Sequence, residues 1–303
     1  MKFIEQTLLH QHYLAAEIDD SLLRIAQQTF VSSGGKPQEP DFIASLVQDF
    51  TPELFEILQS YYKGIAFGLA SVFAHQKPTV NIGTRRNPEL GDLLLVLMHT
   101  DRLGKKWCNS LLLQAKMASR EKITIGRSDR HQLLLYTDWP EFTYVNSSAA
   151  LRGQKRSVKP HTFHDGAQYL MIDKRRIAAS GHRLHYPMAC AVPDREVIVD
   201  KPFNVEIVEF LKFKSGRMFE DRHEISEDWS QVVWDLLDLS AALFSKRNNS
   251  GRARFGRQYR AQQMPPDLLF FQDHWNDNKE AVANIDKEFG VPVILIESSE
   301  NIG

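Results

Sequence analysis

The sequence predicts a mixed α/β fold, a central sheet flanked by helices, and three observations predict it. Two apolar runs, Leu93–Val96 and Leu111–Leu113, are too short for ordinary helices and read as buried strands joined by a polar connection. Apolar residues recur at helical spacing from Thr51 onward and again from Glu227 to about Ser245. A Val/Ile-rich run, Val291–Ile296, reads as a further strand near the end of the chain.

Composition sets the outer limits. A chain of 303 residues accommodates one large domain or two small ones, and 43% hydrophobic with 25% charged residues describes an ordinary globular protein. The formal net charge of −1 exerts no global pull on nucleic acid, so any attraction must come from local patches. Cys108 and Cys190 lie far apart and suggest no disulfide framework, which makes a reducing cytoplasm the simplest setting. Met1-Lys2-Phe3-Ile4 runs straight into Glu5 without the look of a signal sequence. No apolar run approaches membrane-spanning length, so no membrane partner is expected.

In order, residues 1–26 read as helix in one or two pieces, with Leu8, Leu9, Tyr13, Leu14, Leu22, Leu23 and Ile25 as core. Ser32–Pro37 is a loop; its Gly-Gly-Lys has the wrong spacing for a phosphate-binding loop and reads as a turn. Pro40-Asp41 starts a short helix. Thr51 as N-cap, Pro52 at the first helical position and Glu53 in the first turn then start a longer one. Leu54, Ile57, Leu58, Tyr61, Ile65, Leu69 and Val72 carry it to about Ala74, and Lys77-Pro78 ends it. Thr79–Ile82 is a strand, and Ser128 to Trp139 a helix closed by Pro140. Strands follow at Ala167–Ile172, Met188–Val192 and Val197–Val199, then helices at Asn204–Phe213 and, capped by Ser226, Glu227–Ser245.

The chemistry gathers around the two leucine-rich strands. Asp92 opens the first, and Gln114 and Lys116 sit near the end of the second, two apart and therefore on one face. Residues between Met98 and Ser110 suit a hairpin connection. Antiparallel pairing would bring Asp92 beside Gln114 and Lys116, so a carboxylate, an amide and an amine converge among apolar neighbours. Such a cluster suits phosphodiester hydrolysis: Mg²⁺ takes one or two carboxylates with carbonyl oxygens and waters, and an amine orients water or offsets developing charge.

Asp92 followed by Gln114-Ala115-Lys116 resembles the PD-(D/E)XK nuclease superfamily, in the Gln-x-Lys variant of Mrr-like restriction endonucleases. The resemblance covers roughly residues 51–144, and the expected order of helix, strands and helix matches it. It implies a restriction-endonuclease-like core with a mixed sheet. It also implies Mg²⁺ (Mn²⁺ as substitute) held by Asp92, a second carboxylate and the Ala115 carbonyl, with Gln114 orienting the site and Lys116 acting on water or transition state. Glu89, Glu56 or Glu53 could be the second carboxylate. Where the superfamily has proline before the aspartate, this chain has Gly91.

Residues 1–50 then form an N-terminal helical segment, 51–145 the nuclease-like core, and 146–303 a C-terminal α/β extension that completes the same domain or stands beside it. Two basic stretches offer phosphate contacts: Arg152, Lys155, Arg156 and Lys159 in one, and Arg252, Arg254, Arg257 and Arg260, interleaved with Phe255 and Tyr259, in the other. His161, His164, His182 and His185 form two His-x-x-His pairs whose spacing matches no zinc motif, and contact with solvent or phosphate is the preferred reading. Asp267, Asp273 and His274 are scattered and take no role. The functional expectation is a Mg²⁺-dependent DNA endonuclease of prokaryotic restriction or phage defence, with an ATPase or other defence subunit, or a second copy, as partner. The alternative is an inactive nuclease-fold subunit that binds DNA or scaffolds a larger machine.

Overall fold

The computed structural model describes residues 1–118, 122–173, 177, 186–245, 256–262, 264, 269–270 and 289–300. Its elements begin with α1 (Lys2–Ser32), α2 (Glu39–Ser45), a π-helical turn Leu46–Phe50 and α3 (Thr51–Tyr61). Strands β1 (Ala66–Val72), β2 (Thr79–Asn81), β3 (Leu93–Thr100), β4 (Lys106–Ala118) and β5 (Lys122–Thr124) follow, then α4 (Arg130–Asp138). Next come β6 (Phe142–Asn146), β7 (Lys155–Arg156), β8 (Ala167–Asp173), β9 (Met188–Ala191), β10 (Glu196–Ile198) and β11 (Lys201–Pro202). The chain continues through α5 (Phe203–Leu211), β12 (Arg217–Phe219), α6 (Asp228–Ser245), β13 (Gly256–Arg260) and β14 (Val293–Ser299).

Nine strands form one mixed sheet in the order β11-β9-β8-β4-β3-β14-β1-β13, with β12 also pairing β4. β3 and β4 are the antiparallel hairpin expected, in register from Leu93↔Leu113 to Thr100↔Lys106. On either side of that hairpin the neighbours run parallel, β14 beside β3 and β8 beside β4. Alternation along β3 and β4 sorts the leucines between two cores. Leu93, Leu95, Leu97, Leu111 and Leu113 meet Leu14, Ile18, Phe42, Leu54 and Ile207 from α1, α2, α3 and α5. Leu94, Val96 and Leu112 meet Leu135, Val232 and Leu236 from α4 and α6. Each fully buried leucine contributes roughly 2 kcal/mol of transfer free energy, so the site's strands are fixed from both faces.

The fold differs from the sequence expectation at three places. The helix from Thr51 stops at Tyr61, and Ala66–Val72 is a strand buried along its whole length. Gly64, at φ +67°, turns the chain where a helix would continue, and a run buried on both faces carries no period to betray a strand. The hairpin connection is only residues 101–105, turning at Gly104 with φ +79°, because both strands run further than expected. On α1, the buried stripe is Phe3, Leu14, Ile18, Leu22 and Ile25, whereas Leu8, Leu9 and Tyr13 are exposed. Among the described residues no helix is long and apolar enough to cross a membrane.

Candidate functional site

Asp92 sits one residue before β3, where its backbone N–H donates to the Leu113 carbonyl at 2.8 Å and so carries the hairpin register one step further. That step places Asp92 opposite Gln114. Both side chains therefore share a sheet face with Lys116, the face covered by α4 and α6. The Asp92 carboxylate is 3% exposed and fully engaged. It accepts from the Ala115 N–H at 2.7 Å, from the Gln114 side-chain amide and from the Lys77 ammonium. Lys77 also pairs with Glu89 at 3.2 Å, bridging the two carboxylates expected to hold a metal. Burial opposes its charge, but Asp92 and Glu89 outweigh that and raise its pKa.

Lys116 is 17% exposed and lies 3.5 Å from Asp129, in the turn before α4. Behind it, the Glu39 carboxylate of α2 accepts from the Met117 N–H at 2.8 Å. Burial raises the Glu39 pKa, against the pull of that N–H and of Lys116, with Asp92 adding to the rise. Glu39 is thus the carboxylate that the helical layer delivers, a residue the sequence reading passed over. Glu53 instead pairs with Arg24 and Ser21 of α1, and Glu56 is exposed on α3. The signal for Glu39 was the short helix at Pro40-Asp41, whose first residue it is.

Two of the buried polar atoms without a partner lie side by side on β4 and β8. One is Gln114 Oε1, on a residue only 6% exposed; the other is the hydroxyl of Tyr169, which β8 places directly beside Gln114. An unpaired buried acceptor costs about 1–3 kcal/mol, so Gln114 Oε1 gains from any donor or cation that reaches it. The Ala115 carbonyl points to the same strand edge as its N–H, toward Asp92. Among the described residues no group of three or more His, Cys, Asp or Glu is arranged to hold a metal ion. The donors here are instead all oxygens: carboxylates of Asp92 and Glu89, the Gln114 amide and the Ala115 carbonyl. A hard cation such as Mg²⁺ would take oxygen donors of this kind together with waters and phosphate oxygens.

The expected nucleic-acid contacts do not converge on this site. Arg156 grips Asp235 of α6 through two nitrogens, at 2.7 and 2.9 Å, and Lys155 pairs with Glu141 at 3.3 Å, while Arg152 is exposed. Arg257 and Arg260 lie on edge strand β13, three strands from β3, or about 14 Å at the usual strand spacing. Arg252, Arg254, His182, His185, Asp267, Asp273 and His274 fall outside the described residues. His161, exposed, donates from Nδ1 to the Trp139 carbonyl at 2.7 Å, whereas His164 is buried between Trp139 and Trp229. Both cysteines are buried and free.

The fold and site together define a mixed α/β protein with an acid, an amide and an amine at the open end of its central hairpin. Comparison with models of known protein families, with curated proteins and with solved structures finds no match.

Proposed function

We propose that the chain is a Mg²⁺-dependent DNA endonuclease with a restriction-endonuclease-like core of the PD-(D/E)XK kind, acting in prokaryotic restriction or phage defence. The observation that carries this reading is Asp92 bonded to the Gln114 amide and the Ala115 N–H, on the sheet face that strand alternation also gives to Lys116. Asp92 and Gln114 Oε1 would hold the ion with Glu89 and the Ala115 carbonyl. Bound there, Mg²⁺ would supply Lewis-acid polarisation of the scissile phosphate and lower the pKa of a coordinated water. Lys116, held near Asp129 in the free protein, is placed to orient the attacking water or to offset charge developing on the phosphorane. Apolar residues beneath the cluster, Leu94 and Leu112 among them, exclude bulk water and strengthen these interactions.

One observation favours a second reading, a nuclease-fold subunit that binds DNA without cutting it. Lys77 already neutralises Asp92 and Glu89, so the pair can persist as structure with no ion at all. An ATPase, another defence subunit or a second copy of the chain would then supply the chemistry. Lys116→Ala separates the two. Cutting of plasmid DNA by the wild type with Mg²⁺ or Mn²⁺, lost by on the order of 100-fold in the variant while DNA affinity is kept, supports catalysis. No cutting by the wild type with either ion supports the second reading.

A further inference from the structure

We propose that the DNA backbone is held by a rim of four arginines, Arg85, Arg86, Arg127 and Arg130, that flanks the candidate site on two sides. This placement rests on the nuclease reading and moves its substrate contacts away from the basic stretches at 152–159 and 252–260.

The first side is the loop between β2 and Glu89. Its base is clamped by two backbone bonds, Val80 N–H to Pro88 and Leu90 N–H to Pro78, each 3.0 Å. Its tip is ordered by the Gly83 N–H donating to Asn81 Oδ1 at 2.8 Å and by the Thr84 hydroxyl donating to the Arg86 carbonyl at 2.7 Å. Arg85 and Arg86 project from this braced loop, which ends at Glu89, partner of Lys77. The second side is the turn Arg127–Asp129 and the first residue of α4. Here Arg127 and Arg130 bracket Asp129, the partner of Lys116.

His131 joins the two sides. Its half-buried imidazole feels Arg86 from the loop and Lys116 from β4, and both oppose its protonation together with burial, while Asp129 favours it. Cations from both sides thus act on the one imidazole. All four arginines are exposed, and none forms an ion pair among the described residues. Within the two basic stretches, Arg156 pairs with Asp235, Lys155 with Glu141, and Arg257 donates to the Gln48 carbonyl.

The charge arrangement explains why a rim is needed. Asp92, Glu89 and Glu39 are offset by Lys77 and Lys116, so the centre offers a polyanion no excess of positive charge and cations around it must hold the flanking phosphates. Guanidinium groups in braced loops do this with little ordering cost, and each phosphate neutralised releases counterions into solution. The N-terminal end of α4 adds its partial positive charge in the same place.

The test is binding of a 30-base-pair DNA duplex, followed by fluorescence anisotropy in EDTA across a series of KCl concentrations. Wild-type protein is compared with the quadruple Arg→Gln variant at 85, 86, 127 and 130, and with the control R152Q/K155Q. The expected result is a loss of at least roughly tenfold in affinity for the quadruple variant, with a salt slope shallower by about 3. The control stays within twofold of wild type. Should the quadruple variant fail to fold by circular dichroism, R86Q and R130Q alone are each expected to reduce the slope by about 0.9. A wild type that binds while the rim variants bind equally well, or while the control carries the loss, overturns the rim and leaves the nuclease reading standing. A wild type that binds no duplex even at low salt overturns both.

Discussion

Lys77 is the residue on which the proposed metal binding turns. Its ammonium touches both Asp92 and Glu89, so any divalent ion must displace it or share the carboxylates with it. Replacing it by methionine keeps the apolar stem and removes the competing charge. Lys77→Met is expected to tighten Mn²⁺ binding by on the order of tenfold, about 1.4 kcal/mol, as read by isothermal titration calorimetry. It should also destabilise the metal-free protein, because the buried Asp92 carboxylate then loses its ammonium partner. Weaker Mn²⁺ binding in the variant would show that Lys77 supports the site instead of competing for it. His164 gives a second residue-scale prediction, this one in pH. Burial and the neighbouring Arg217 push its pKa down to about 3, against 6.5 for the free side chain. Between those values the unfolded chain takes up a proton that the folded one refuses, so stability falls as pH drops from 6.5 toward 3. The contribution is about 1.4 kcal/mol per pH unit inside that window. Urea midpoints measured from pH 4 to 7 should show this slope in the wild type and its reduction in His164→Phe.

Among the elements, the β3–β4 hairpin was the most legible from sequence. Its leucine runs and the Asp92, Gln114 and Lys116 positions fixed the pairing, since a one-residue slip would have put the polar residues into the opposite core. Other elements were hidden for physical reasons. β1 is buried on both faces, so its Leu69 and Val72, with Ile65 just before it, mimicked helical spacing, and only Gly64 marked the break. Glu39 went unnoticed because nothing local links α2 to β4; the contact is made across 78 residues of chain through the Met117 N–H. Arg156 looked like a phosphate contact because its partner, Asp235, is equally remote. Gly91 also gains a reason it lacked in sequence. A Cβ there would lie 2.6 Å from Leu112 Cδ1, 2.9 Å from its Cγ and 3.2 Å from the Tyr136 hydroxyl. Gly91→Ala is therefore expected to cost about 1–3 kcal/mol by overpacking, and Leu112→Val in the same chain to recover part of it. Chemical denaturation of the two variants checks both statements; an unchanged midpoint in Gly91→Ala would show that Leu112 yields freely.

For the whole molecule, the sheet interleaves distant parts of the chain. β14, near the end, lies between β3 and β1, and β8 lies against β4, so both outer edges of the site hairpin are covered by strands from beyond residue 145. At the far end of the sheet, Glu300 accepts from the Phe3 N–H at 2.9 Å, tying α1 to the strand that follows β3 in space. The mixed α/β class was readable from the short apolar runs and the two helical stretches. The strand order was not, because it depends on parallel pairings between segments more than fifty residues apart, which leave no local trace. This arrangement holds the acid, the amide and the amine on a scaffold fixed from both faces.

The most direct test is anomalous diffraction from crystals of the protein soaked in Mn²⁺. We predict one peak about 2.1 Å from Asp92 Oδ1 and Gln114 Oε1, with the Lys77 ammonium moved off Asp92. A Lys77 still bridging Asp92 and Glu89, with no peak beside Gln114, would contradict a metal-assisted hydrolytic site.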